Sequence, residues 1–431
     1  MKAFKALLLL AVAAFTLPAI AENGMNSPYT RYGFGQLSGM EVGINKSMGG
    51  TGIGLRNNSQ INLLNPASYA AVDTLTFLLD VGVSLHNANF TEGAVKMNAR
   101  NTTFDYLAMQ FRLKPRLGMT IAMMPFSNIG YNFSNSAVID SYEDPTTGEI
   151  IKSEEGEEIT VTNRYYGDGG LRQVTAGLGW SPFRGFSVGG NFSYIYGEVY
   201  HYAYNQYSET SISTRTKQYI ADISTYKVDF GAQYQASFGK NRVTLGATYQ
   251  LGHEIGNDTY VIDMTSTGTS VTSSDTLRTT PMSIPSGYGA GISYTFDERL
   301  TFAADYSVQQ YGATNFFGYK GADRHRASIG FEYIPELVTR KLFRRARYRA
   351  GLHYATAHYY VGDHKGPTEY GATVGIGLPI MNGWNGKSIV NISGQAVHVR
   401  PNAPGMITEN YLRLSVGLSF NEGWFDKWKV Q

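Results

Sequence analysis

The segment that most limits what this chain can fold into is its last regular run, "YLRLSVGLSF". Leu412, Leu414, Val416, Leu418 and Phe420 share one parity, and Arg413, Ser415, Gly417 and Ser419 the other. Successive side chains of a strand point to opposite faces, so this run belongs between an apolar and a polar medium. A single strand of this kind also fits a soluble sandwich, where the apolar medium is the core. Repetition changes the balance. Alternating segments recur near 76–87, 102–113, 116–133, 171–181, 186–200, 218–237, 242–253, 284–296, 299–309, 325–335, 347–358, 369–379, 387–398 and 411–420, an even total of fourteen.

In the first segment Phe77, Leu79, Val81, Val83 and Leu85 form the outward set, opposed by Asp80, Gly82, Ser84 and His86. In the fifth, Phe186, Val188, Phe192, Tyr194 and Tyr196 oppose Ser187, Gly189, Asn191 and Ser193. The second is irregular, because Phe104 and Tyr106 fall on its nominally inward parity. Connections alternate in length: "KPR", "SPFRG", "FGKN" and "DE" on one side, against 134–170 and 254–283 on the other. Outer-membrane barrels have short periplasmic turns and longer outer loops.

The two sides also differ in chemistry. Lys114, Arg116, Arg184, Lys240, Arg242, Lys341, Arg344 and Arg345 collect on the short-turn side, with Trp180, Trp384, Trp424 and Trp428 as expected of an interfacial aromatic girdle. The loop 134–170 carries Asp140, Glu143, Asp144, Glu149, Glu154, Glu155, Glu157 and Glu158. This run reads as a solvated loop, with calcium as the alternative, since no ordered ligand spacing is present.

The segments are long enough to cross the hydrocarbon as tilted strands. Lipid cannot satisfy a free sheet edge, so the strands must close. "MKAFKALLLLAVAAFTLPAIA" has two lysines, an apolar core and a small-residue site ending Ala19-Ile20-Ala21, the pattern of a secretory signal cut before Glu22. The chain contains no cysteine, so disulfides and thiolate metal sites are excluded. A net charge of +2 gives a nucleic-acid partner no electrostatic support. The 49 glycines and 31 tyrosines fit a sheet protein bordering something other than plain water. The expected architecture is all-β: a 14-stranded antiparallel transmembrane β-barrel in the bacterial outer membrane, in contact with its lipid. The expected division is signal 1–21, N-terminal plug 22–73, barrel 74–420 and periplasmic tail 421–431.

Fourteen strands enclose a lumen wider than side chains alone fill, and narrower than the open 16- to 18-stranded porins. The segment before the first strand, rich in Gly and Asn and without helical period, is the natural occupant: a plug whose polar backbone meets lumen side chains and water. Its stretch "SMGGTGIGLRNNSQINLLNPASYA" resembles the N-terminal hatch of the FadL-type outer-membrane transporters of hydrophobic compounds. Met48, Gly49, Gly50 and Gly52 match the glycine-rich part of that hatch, and Asn65, Pro66 and Ala67 its Asn-Pro-Ala triplet. "YGAGISYTF", "LTFAADYS" and "RASIGFEYIP" look similar to later parts of the family, whose strand count is also fourteen. The opening "NSPYTRYGFG" looks like the variants found in Bacteroidota, some of which serve protein-export machinery.

Proline pushes the preceding residue towards extended geometry, and the Asn65 amide can bond neighbouring backbone or wall, so the triplet reads as a latch. Gly49, Gly50, Gly52 and Gly54 read as a hinge. Gly287, Gly289 and Gly291 face the lumen opposite outward Tyr288, Ala290 and Ile292, leaving space for the plug or a ligand, or simply curving the strand.

Catalytic and cofactor signals are weak. "GGTGIG" lacks the lysine and the strand-turn-helix setting of a phosphate loop. His353, His358 and His364 lack metal-ligand spacing. Asp80 and His86 share a face, but lie about 20 Å apart along a strand. The expectation is no enzyme, no metal and no cofactor. Passive, plug-gated passage of small hydrophobic molecules of the long-chain fatty-acid kind is the first expected function. The alternative is a non-transporting accessory subunit of an outer-membrane secretion or assembly complex. Its support is the opening, the basic turn "VTRKLFRRARYR" and the tail "NEGWFDKWKVQ".

Overall fold

A computed structural model describes residues 26–423, apart from 75, 144–149, 153–157, 210–211, 257–258, 268–269, 280 and 381–387. The signal segment, the tail from 424, three of the tryptophans (Trp384, Trp424, Trp428) and the acidic residues Asp144, Glu149, Glu154, Glu155 and Glu157 lie outside the described residues.

Among the described residues, fourteen antiparallel strands form the wall: β1 (Thr76–Glu92), β2 (Val95–Lys114), β3 (Leu117–Ile139), β4 (Ile159–Phe183), β5 (Phe186–Tyr207), β6 (Thr214–Phe238), β7 (Asn241–Gln250), β8 (Gly287–Phe296), β9 (Leu300–Gln309), β10 (Arg324–Tyr333), β11 (Arg347–Thr356), β12 (Thr368–Ile380), β13 (Ser388–Arg400) and β14 (Thr408–Gly423). β1 pairs with both β2 and β14, from Thr76 opposite Gly423 to Thr91 opposite Thr408, which closes the barrel and leaves no free edge.

The expected facing holds. Val83, Leu85, Phe192, Tyr194, Leu412, Leu414 and Val416 are exposed on the outer wall, while Asp80, Ser84, Ser187, Asn191, Ser193 and Ser419 are buried inside. The irregular second segment has a physical cause. The β1–β2 register slips between Gly82 and Val83, and the extra residue on β2 is Asp105. This bulge lets Phe104 face out, 38% exposed, while Tyr106, of the same parity, is buried in the lumen.

Several expected boundaries shift. β14 runs to Gly423 rather than 420. β1 to β6 all extend past their expected limits at the long-loop end, β4 the most, and 254–283 is not simply a loop: it contains a hairpin (Thr259–Thr267, Ser270–Arg278) that pairs with the outer part of β6. Beyond the membrane neither face meets lipid, so the apolar-polar contrast fades although the ladder continues. At the opposite end two residues join β2 to β3, β4 to β5 and β6 to β7, and three join β8 to β9. In the last of these Asp297 and Glu298 both adopt positive φ, +51° and +56°, the left-handed geometry that suits twisted strands. Trp180, near that end, is 52% exposed.

Candidate functional site

Residues 26–74 lie inside the barrel. A 3₁₀ turn (Pro28–Arg31), a short strand (Gln36–Leu37) pairing with Ser127 and Asn128 of β3, a helical turn (Gly43–Lys46) and a second 3₁₀ turn (Pro66–Ala71) punctuate an otherwise irregular path. Such a path carries many backbone groups without a ladder, and the wall supplies their partners. Asp305 accepts from the amides of Gly52 (2.5 Å) and Ile53 (2.8 Å). Gln233 donates to the carbonyls of Ile53 and Leu55, both at 3.0 Å. Ser293 donates to the Gly54 carbonyl at 2.7 Å. The Gly43 amide donates to Tyr106, whose hydroxyl donates in turn to Asp80.

The Asn-Pro-Ala triplet is fully enclosed. Asn65 caps the second 3₁₀ turn by accepting from the Ala67 amide at 3.1 Å. Its Nδ2 donates to Ile53 within the plug (3.0 Å) and points at the wall carbonyls of Ala232 (3.2 Å) and Ala247 (3.4 Å). Pro66 supplies the first turn position, where no amide is needed. The triplet therefore ties two plug segments to β6 and β7.

Glycine makes the fit possible. On the wall, a Cβ on Gly231 would overlap the Asn65 side chain. On Gly246 it would overlap the Ile53 carbonyl, and on Gly179 it would stand 2.6 Å from the Pro66 oxygen. A Cβ on Gly291 would stand 2.7 Å from the Gly54 amide, and on Gly330 2.8 Å from the Met48 carbonyl. Gly289 faces Ile53 in the same way, whereas the nearest atoms to a Cβ on Gly287 are those of neighbouring strands. The space left by Gly289 and Gly291 is thus filled by the plug. The plug glycines answer them: a Cβ on Gly49 would sit 2.9 Å from the Leu352 amide, and one on Gly54 2.8 Å from that of Ile292. Gly49 and Gly50 also hold φ of +69° and +81°, which other residues rarely adopt. All of the expected hinge stretch, Gly49, Gly50, Gly52 and Gly54, therefore lies in close contact, Gly52 against Asn45 and Asn62 of the plug itself.

Charge reinforces the seat. Glu41 pairs with Arg326 at 2.6 Å and Lys46 with Asp105 at 2.6 Å. Arg349, fully buried, pairs with Glu332 at 2.7 Å and donates to Gln60 of the plug at 3.1 Å. Asp305, Gln233, Arg326 and Arg349 were not singled out from sequence. Their signal was present all the same, as polar residues at lumen parity on otherwise apolar strands.

From outside, the segment between β9 and β10 turns inward. Its Tyr311, Phe316 and Phe317 pack in one buried cluster with Phe34 of the plug and Phe126, Ile129, Leu171 and Ile195 of the wall, with 5.3 Å between the Phe34 and Phe316 ring centroids. Inside, a half-open space of about 180 Å³ is bordered by Glu41, Lys227, Asp229, Asp305, Arg324 and Arg326 among others. Below the plug a second space of about 620 Å³ opens at the short-turn end. Among the described residues no group of metal-binding side chains is present.

A closed barrel with an apolar exterior and a lumen-borne plug is the fold of the FadL-type outer-membrane β-barrels. The chain belongs to the BamG family, whose model matches residues 3–431. No curated protein matches it. Among solved structures it is similar to the CymD monoaromatic hydrocarbon channel (14% identity, 89% of this chain and 98% of that one, TM-score 0.60). It is also similar to a Pseudomonas aeruginosa FadL homologue (12%, 90% and 99%, TM-score 0.59). A third is the P. putida toluene transporter TodX (13%, 91% and 100%, TM-score 0.57). At these identities the likeness is one of fold.

Proposed function

We propose that this protein is a stoppered barrel that acts as an accessory subunit of an outer-membrane protein secretion or assembly complex, presenting surfaces rather than conducting. One observation carries this reading: the middle of the lumen is occupied by a plug whose backbone is bonded by wall side chains, and the aromatic cluster around Phe34 fills the outer part. The half-open space of about 180 Å³ beside the plug has the size of a single aromatic ring, and charged side chains border it. The basic turn 338–349, whose Val338 is 95% and Phe343 66% exposed, offers a contact surface at the short-turn end.

A second reading, passage of small hydrophobic molecules gated by the plug, has its own support. An apolar groove of about 660 Å³ on the outer wall, lined by Leu245, Ala290, Ile292, Ala304, Ile329 and Leu352, lies directly behind the Gly246–Gly291 seat of the plug. The solved neighbours named for toluene and monoaromatic hydrocarbons favour small rings over acyl chains as the cargo.

Gentle solubilisation and affinity purification at native expression level separates the two. Stoichiometric outer-membrane protein partners support the accessory role, whereas a lone barrel carrying a hydrophobic small molecule supports passage. An Asn65→Ala/Pro66→Ala variant adds a second readout, since passage requires altered uptake from a normally assembled barrel.

A further inference from the structure

The 620 Å³ space beneath the plug is a cationic vestibule. Arg56 projects into it from the plug, and Arg112, Arg116, Arg184, Arg242 and Arg347 from the wall and its turns, against the three carboxylates Asp73, Glu298 and Glu332. Two of these arginines are neutralised, Arg242 by Glu298 at 3.0 Å and Arg347 by Glu332 at 3.4 Å, although Glu332 is shared with Arg349. Arg56, Arg112 and Arg116 donate to neutral oxygens: Ser187 Oγ at 2.9 Å, Thr74 Oγ1 at 2.6 Å and the Pro182 carbonyl at 3.4 Å. Among the described residues, none of these three, nor Arg184, makes an ion pair. A concave site with several unneutralised guanidinium groups recognises planar, bidentate anions.

We infer that the vestibule binds an acidic polypeptide segment of a periplasmic partner, with carboxylates reaching Arg56 and Arg184. The site lies inside the barrel mouth, so the headgroups of the surrounding leaflet are held away by the wall. Its volume admits several side chains, more than a small inorganic ion fills. Ile334 and Leu337 on one border add an apolar strip that a peptide can cover and a free anion cannot. This inference rests on the accessory-subunit reading and names the chemistry of one partner contact.

The test uses the full-length barrel in nanodiscs and a fluorescein-labelled octaglutamate peptide, followed by fluorescence polarisation. Expected is saturable binding that weakens with salt. It falls about tenfold or more in Arg56→Gln/Arg184→Gln and is retained in Lys114→Gln/Lys240→Gln, which removes the same charge from short-turn positions that do not line the vestibule. Heat-modifiable migration verifies that each variant is folded. Absence of saturable binding, equal loss in both variants, or displacement by inorganic phosphate at the same concentration as by unlabelled peptide overturns the inference. Because the barrel is tested alone, a failure here is distinguishable from failure to co-purify partners.

Discussion

Gly246→Val isolates the contribution of the plug seat. Gly246 lies within β7 with a strand neighbour on either side, and valine favours strands, so in an unplugged wall the change would be harmless. Here the new Cβ would overlap the Ile53 carbonyl oxygen and stand 2.7 Å from its carbon. Carbon atoms rest at about 3.5–4.0 Å, so the plug backbone must retreat by about 1 Å. Gln233 of the wall then loses its bonds to Ile53 and Leu55, both at 3.0 Å. Two buried bonds at about 1 kcal/mol each give about 2 kcal/mol, before any cost of the stranded donor. Since 1.4 kcal/mol is about tenfold, the plug should open about 30-fold more often. The chain has no cysteine, so a single Thr51→Cys reporter, fully buried against Ser328, reads that opening by maleimide labelling. Gly394→Val is the control, because a Cβ there meets nothing within 4 Å. Equal labelling rates for the two valine variants, in barrels that remain heat-modifiable, would refute the seating argument.

The same reporter checks two further changes. Asn65→Ala removes the 3₁₀ cap and the donor to Ile53, and is expected to loosen the plug by about 2 kcal/mol, near 30-fold in labelling, with assembly of the barrel unaffected. Glu41 is the pH-sensitive tie: burial alone would raise its pKa, but Arg326 and Lys46 outweigh it and hold the group below its usual 4.5. A carboxylate depressed in the folded state contributes its stability above the ordinary glutamate range and loses it as pH falls through the depressed value. Labelling, taken at each pH relative to an exposed Ser274→Cys reporter because maleimide addition slows as the thiolate is lost, should therefore rise on acidification below the glutamate range, and Glu41→Gln should open the plug at neutral pH and flatten that response.

The wall was legible because lipid and lumen impose opposite demands on alternate residues. Leu412 to Phe420 and Phe77 to Leu85 needed no other information. Legibility ended where that contrast ended. Outside the membrane β4 and β5 continue with aromatic residues on both faces, Tyr165 packed inward and Tyr166 exposed, so the extensions carry no apolar-polar alternation to mark them as strand. At Asp105 a single inserted residue broke the parity on which the reading depends. The triplet Asn65-Pro66-Ala67 was visible as a motif, but its partners were not, since Asn65 reaches Ala232 and Ala247 across large stretches of sequence. The inward turn of Phe316 and Phe317 onto Phe34 left no periodic trace either.

The glycines explain why the plug is a component of the barrel rather than a loose stopper. Where Gly246, Gly291 and Gly330 meet Ile53, Gly54 and Met48, backbone approaches backbone, and the polar groups of an irregular segment are paired by Gln233, Ser293 and Asp305. These bonds are mutually supporting: Asn65 and Gln233 converge on one carbonyl, and Asp305 holds the two amides beside it. Partial withdrawal would strand several buried groups at once, which favours a plug that stays seated or leaves as a unit. Under ordinary fluctuations it stays, and its lower surface, with Arg56, becomes a permanent wall of the vestibule. The same contacts that close the lumen thus assemble the cationic mouth.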